Sequence, residues 1–160
     1  MIPTQFMSKK DFLRLVTYCG LYCGLCAQRR RIPQQASQLQ QTLHEEGFDD
    51  FFQYVPEMRE KFPAFWQILQ KLVEMDCTCR TGIGGPPDCE IRSCARKKHI
   101  EVCPLCEEYP CKHVKALAER YPTLIQDGKR LQEVGLEKWV EEQEWRVRRG
   151  FAYSDIRYKA

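Results

Sequence analysis

The sequence has no run of about 18 apolar residues, so no part of it reads as a membrane-spanning helix. Nor does it carry a large excess of one charge. Its 25 basic and 22 acidic residues leave a net +3, which argues neither for nor against a polyanionic partner. The start, MIPTQFMSKKDFLRLV, meets Lys9, Lys10 and Asp11 before an apolar run develops. It does not read as a secretory signal, and the expected location is cytoplasmic. A phosphate-cradling loop is missing as well. Gly82-Ile-Gly-Gly-Pro-Pro has neither GxGxxG nor GxxxxGKS/T spacing, follows no strand pattern, and loses two amide donors at Pro86 and Pro87. No Ser/His/Asp set has a local signature and no carboxylate pair stands out, so no catalytic residue and no cofactor-binding loop is assigned.

What the sequence does have is cysteine. Of its ten, seven fall between Cys77 and Cys111, in CTCRTGIGGPPDCEIRSCARKKHIEVCPLCEEYPC. The sizeable apolar residues there are Ile83, Ile91, Ile100, Val102, Leu105 and Tyr109, while Gly82, Gly84, Gly85, Pro86, Pro87, Pro104 and Pro110 interrupt any long helix or strand. Fixing the backbone costs about 1–2 kcal/mol per residue. So little apolar surface cannot offset that, and a cross-link is expected. In a reducing compartment, thiols at short spacing point to metal ligation before disulfides.

The spacings agree with that choice. Cys23-Gly-Leu-Cys26 and Cys103-Pro-Leu-Cys106 are C-x2-C turns, which present two thiolates to one ion. Cys89 with Cys94 and Cys106 with Cys111 are looser C-x4-C pairs that suit a tetrahedral centre. Cys19, Cys23 and Cys26 have the C-x3-C-x2-C spacing with which radical S-adenosylmethionine enzymes hold a four-iron cluster. Those enzymes need a barrel of about 200 residues in its full form, whereas the 50 residues that follow read as successive helices. A plain iron-sulfur site remains the alternative to zinc.

The remainder reads as mainly α. Ser8 caps a helix over Lys9 to Val16 that carries Phe12, Leu15 and Val16 inward. Ile32, Ala36, Leu39 and Leu43 form one helical face, begun near Pro33 and ended by Gly47, and His44 is read as a solvated helix-end residue. After the aromatic cluster of Phe48, Phe51, Phe52 and Tyr54, the residues Phe62, Phe65, Trp66, Leu69, Leu72 and Val73 mark the most regular amphipathic helix. Val114, Leu117, Ala118 and Tyr121, then Leu124, Gly128 and Leu131, then Leu136, Trp139, Val140 and Val147 mark three more. The expected architecture is a single domain, 1–160. It has a helical body (9–76 and 112–149), an irregular cysteine-rich metal segment with ribbon- or knuckle-like turns (77–111), and an extended tail docked on the body (150–158). Arg157 is expected to pair with an acidic side chain there.

YCGLYCGLC, CRTGIGGPPDCEIRSCA, CPLCEEYPC and GLEKWVEEQEWRVRRGFAYSDIRY, in this order, resemble the DUF3795 family of small cysteine-rich bacterial and archaeal proteins, from about Thr17 to Tyr158. The resemblance implies a zinc-binding protein without an established activity. Cys77-Thr-Cys79 offers two thiols where one ligand is expected, and Cys79, directly before Arg-Thr-Gly, is preferred.

The candidate ligands are Cys19, Cys23, Cys26, Cys77, Cys79, Cys89, Cys94, Cys103, Cys106 and Cys111, for two zinc ions, with Cys19 and Cys77 the least required. The sequence does not fix their partition; the preferred picture completes the Cys23/Cys26 turn and the Cys103/Cys106 turn each with thiols from the intervening stretch, which clips the amino-terminal helix region to the cysteine-rich loop. His99 and His113 are read as exposed or supporting residues rather than ligands. An ion held by four thiolates carries a formal charge of about −2, so Arg80, Arg92, Arg96, Lys97 and Lys98 are read as compensating charge before a nucleic-acid patch. Arg29 to Arg31 and Arg146, Arg148 and Arg149 read as helix-end charges. Three functions follow. The first is a metal-stabilised adaptor that binds a protein or, alternatively, a nucleic acid. The second is an iron-sulfur electron carrier or redox sensor, and the third a metal-dependent enzyme with an open coordination position.

Overall fold

Ser8 begins the first helix, α1 (Lys9–Arg14), with a capping box. Its hydroxyl accepts from the Asp11 amide (3.4 Å), and the Asp11 carboxylate accepts from the Ser8 amide (3.0 Å). The computed structural model describes residues 8–76, 79–80 and 85–157. Its other helices are α2 (Ile32–Glu45), α3 (Phe48–Phe51), α4 (Pro56–Val73), α5 (Glu90–Lys97), α6 (Lys112–Ala118), α7 (Leu124–Val134), α8 (Leu136–Arg148) and α9 (Ser154–Arg157). Among the described residues there is no strand, only an isolated antiparallel bridge between Val16 and Tyr22. The protein is mainly α, and no described helix is long and apolar enough to cross a membrane.

The chain divides into two compact units, Met1–Ala27 with Cys77–Ala160, and Gln28–Asp76. In the first, Phe12, Val16, Tyr22, Leu25, Val102, Leu131, Trp139, Val140 and Tyr153 form the buried core. Tyr22 and Trp139 meet edge to face at 6.1 Å, and the Trp139 indole donates to the Asp127 carbonyl (2.9 Å). Burying each such large side chain contributes roughly 1.5–3 kcal/mol. The faces read from sequence on α7 and α8 are the ones that supply this core.

The second unit packs α2 against α4. Its interior is thin. Of the face Ile32, Ala36, Leu39 and Leu43, only Ala36 is fully buried and Leu39 is exposed; on α4 the buried residues are Phe62 and Leu69. Phe52, Phe62 and Trp66 stack in a chain of rings 4.9 and 5.5 Å apart, while Phe48, Phe51, Tyr54, Phe65 and Ile68 face solvent. His44 is a solvated helix-end residue, as its position implied, and pairs with Asp49 at 2.7 Å.

Two expectations need correction. The cysteine-rich stretch is not irregular throughout, because α5 runs through its middle. Ile91 and Ala95 are buried on one side of α5, and Glu90 at its start with Arg96 and Lys97 at its end suit the helix dipole. The tail does pack inward, with Ala152 and Tyr153 buried, but it is not extended. The Asp155 carboxylate accepts from the Ala152 amide (2.7 Å) and starts the helical turn α9. The expected partner of Arg157 and the end of the tail at Tyr158 lie outside the described residues.

Candidate metal centre

Two turns present thiols in the same backbone form. Cys23–Leu25 and Cys103–Leu105 are single 3₁₀ turns, each closed by a following cysteine. The Cys26 amide donates to the Cys23 carbonyl (3.1 Å) and the Cys106 amide to that of Cys103 (2.9 Å), and both closing residues leave in extended backbone at φ −82°. The core holds each turn from outside. The Tyr22 amide donates to the Tyr153 hydroxyl (2.8 Å) and the Tyr153 amide to the Leu25 carbonyl (3.3 Å). In the second turn Gln132 donates to the Pro104 carbonyl (2.5 Å), and the Cys103 amide to the Tyr18 carbonyl (2.6 Å). Gly20, at φ +94°, lies so close to the Pro104 ring that a Cβ there would stand 3.0 Å from it. Cys19 is thereby brought beside the second turn.

A third group of contacts holds Cys79 and Cys89. The buried Arg92 guanidinium donates to the carbonyls of Pro86 and Pro87 (2.8 Å each) and Cys79 (3.3 Å), and hydrogen-bonds the Cys79 thiol. Arg80 donates to the carbonyls of Leu13 (2.5 Å), in the last turn of α1, of Val16 (2.7 Å), just past it, and of Glu101 (2.8 Å), and stacks on the Tyr18 ring. Arg96 donates to the Arg80 carbonyl. Three of the five cations read as charge compensation thus act through backbone carbonyls. A guanidinium presents several donors in a rigid fork, which lets the one side chain of Arg92 bind the carbonyls of Cys79, Pro86 and Pro87 together.

The fourth contributor is α5. Glu90, Cys94 and Lys98 follow one another at i, i+4 and i+8 along one stripe of the helix. His113, in the first turn of α6, pairs with Glu90 at 2.8 Å, and Lys98 pairs with Glu108 at 2.6 Å. Cys94 is therefore bracketed against the Cys106–Cys111 stretch. His99, the other histidine weighed as a ligand, is exposed at φ 54° and ends α5. Its amide bonds the Arg96 carbonyl and the Ile100 amide bonds that of Ala95, a Schellman closure in which His99 stands where glycine is usual.

The thiols influence one another's ionisation accordingly. Burial pushes the Cys103 thiol up to about 12, with Cys19, Cys111, Cys106 and Cys94 adding to it. Burial likewise pushes Cys19 up to about 11, with Cys79 and Cys89 adding and the Thr17 hydroxyl (3.0 Å) opposing. Cys79 is raised by burial and by Cys89, while Arg92 pulls it down. Cys103 thus feels Cys19, Cys111, Cys106 and Cys94, and Cys19 feels Cys79 and Cys89, so Cys19 stands between the two sets. Cys23 is buried and Cys26 half-buried; Cys77 lies outside the described residues.

As a donor set this is soft and chemically uniform. The nine described cysteines are all free thiols, from turns and helix ends that the core fixes independently. That suits zinc or an iron-sulfur cluster and does not suit magnesium or calcium, which take oxygen ligands. Among the described residues no three Cys, His, Asp or Glu side chains are already drawn close enough to hold an ion. Neutral thiols have no reason to close on one another. A cation would supply that reason by taking up their charge as the protons leave. The basic stretch and α5 were visible as residues in the sequence, but nothing in it distinguished Arg92, which is buried, from Arg96, which is exposed.

The chain is a mainly helical, cysteine-rich protein with two thiol turns of like form. The family described as "Protein of unknown function (DUF3795)" matches residues 15–116, well over half of the chain, and the chain belongs to it. No curated protein and no solved structure matches.

Proposed function

We propose that the protein is a zinc-stabilised, cysteine-rich adaptor whose metal orders the first unit and whose surface binds another protein. The observation that carries the metal is the arrangement of the thiols. Two C-x2-C turns of the same backbone form, the helix α5 and the contacts of Arg92 with residues 79, 86 and 87 present thiols from distant parts of the sequence, with no disulfide among the described residues. Zinc would be held by thiolates from these elements and would contribute charge neutralisation and cross-linking there. Two features support a protein partner over a nucleic acid. The guanidinium groups of Arg80, Arg92, Arg130 and Arg146 are engaged within the chain, and the second unit exposes Phe51 (54%), Tyr54 (83%) and Ile68 (58%).

Chelator titration followed by circular dichroism tests the metal half. Structural zinc contributes about 10 kcal/mol or more in small sites, so its removal should unfold the cysteine-bearing unit and expose residues 77–111 to protease. A chain that stays folded, reduced and protease-resistant without metal would contradict the reading.

A further inference from the structure

The sequence left open how ten cysteines divide among ions, and spacing alone suggested that Cys89 and Cys94 act together. The helix between them argues otherwise. Cys89 is the residue before α5, while Cys94 lies inside it, five positions on and about 140° further around the axis. Cys89 stays on the side of Cys79, with the loop that Arg92 closes. Cys94 shares its stripe with Glu90 and Lys98, and both of these reach the same outside segment: Glu90 pairs with His113, two residues beyond Cys111, and Lys98 with Glu108, two residues beyond Cys106. Two side-chain contacts flanking one cysteine on one face set the rotation of α5 and its position along its axis relative to that segment. The segment is itself compact. The Cys106 amide bonds the Cys103 carbonyl, the Tyr109 amide bonds the Cys106 carbonyl (3.0 Å), and Cys111 is the residue from which α6 starts.

We propose that Cys94, Cys103, Cys106 and Cys111 form one closed four-thiolate centre, with Cys94 supplied by α5 and aligned by the Glu90–His113 and Lys98–Glu108 pairs. This rests on the metal reading above. Cys79 and Cys89 belong to a separate centre on the side of Cys19. On binding, four metal–sulfur bonds form and four protons leave the thiols, which gives a site of net charge −2 from a dipositive ion. Lys98 is the cation that answers it, since it is held by Glu108 beside both Cys94 and Cys106. With four protein ligands the ion has no position left for water, so this centre is structural.

Cobalt(II) replacing zinc in the full-length protein tests this, because thiolate-to-cobalt absorption reports how many sulfurs bind each ion. The wild type should take up two cobalt ions, both with four-thiolate spectra. Cys94→Ser should alter the spectrum of one ion only and weaken it by at least tenfold. Cys89→Ser should alter the other. Lys98→Glu should weaken the ion sensitive to Cys94 by up to about fivefold, as expected of an exposed pair, and the exchange Lys98→Glu with Glu108→Lys should restore it. A wild type that binds no cobalt and no zinc would overturn the metal reading itself. A wild type that binds two ions while Cys94→Ser leaves both unchanged, or while Cys94→Ser and Cys89→Ser disturb the same ion, would overturn the partition alone. If Cys94→Ser does not fold, the charge exchange decides: failure of Lys98→Glu to change either affinity contradicts the alignment by α5.

Discussion

The Tyr153 hydroxyl accepts a 2.8 Å hydrogen bond from the Tyr22 amide, so the residue before the first thiol turn is held by the C-terminal segment. Tyr153 is buried, and the Tyr22 hydroxyl in turn donates to Glu144. Replacing Tyr153 by Phe leaves a buried amide without its acceptor and should cost about 1–3 kcal/mol. A lowered melting temperature is expected, and deletion from Phe151 onward should lower it further. An unchanged value for both would mean that the tail does not support the turn.

Tyr153 also gives a pH dependence. Burial holds its phenol well above the ordinary tyrosine range. The folded state thus keeps a proton that the unfolded state releases near pH 10. The stability this group contributes is complete below about pH 10 and is lost as pH rises beyond it toward the folded value. Denaturant unfolding between pH 8 and 11 should show a loss in the wild type that is shallower in Tyr153→Phe. Equal slopes would count against burial of the phenol.

Gly128 lies under the Tyr109 hydroxyl, which donates to the Leu124 carbonyl (3.1 Å); a Cβ at 128 would collide with that hydroxyl. Gly128→Ala should destabilise by about 1–3 kcal/mol, as overpacking does. In a Tyr109→Leu background the same change should cost distinctly less, and double-mutant thermal unfolding reads the difference. Additive costs would show that the two residues do not meet.

His99 predicts the opposite sign. Its left-handed backbone costs about 1 kcal/mol relative to glycine. His99→Gly should therefore raise the melting temperature by about 2–4 °C in a chain of this size, without changing metal content. Loss of an ion would identify the imidazole as a ligand instead.

Arg92 is a test of the loop. Arg92→Met removes the donor from the Cys79, Pro86 and Pro87 carbonyls. It should cost about 2 kcal/mol or more and admit protease between residues 79 and 89. Lysine, with one compact ammonium, should not rescue it.

These particulars show where sequence reasoning succeeds and where it stops. Phe62 and Leu69, Leu124 and Leu131, and Trp139 and Val140 repeat at helical spacing, so α4, α7 and α8 could be read directly, although Phe65, read on the inner face of α4, is exposed. Serine and glycine marked helix ends at Ser8, Gly47 and Gly135 because capping depends on local backbone chemistry. The helix α5 was missed because glycine and proline dominate the stretch around it, and its stripe Glu90–Cys94–Lys98 has meaning only once Glu108 and His113 are brought across from it. Alternating aromatics in the tail suggested an extended form, and a single carboxylate, Asp155, turned it into α9. The cysteines were plain in sequence, whereas their neighbours depend on tertiary contacts: Tyr18 to Cys103, and Arg80 to Leu13 and Val16.

The central claim is that zinc cross-links these thiols, and the metal content and absorption spectrum of the anaerobically purified protein test it most directly. The account predicts a colourless protein with about two zinc ions per chain and no labile sulfide. A brown protein that contains iron and acid-labile sulfide, or a folded chain with no metal, would contradict it.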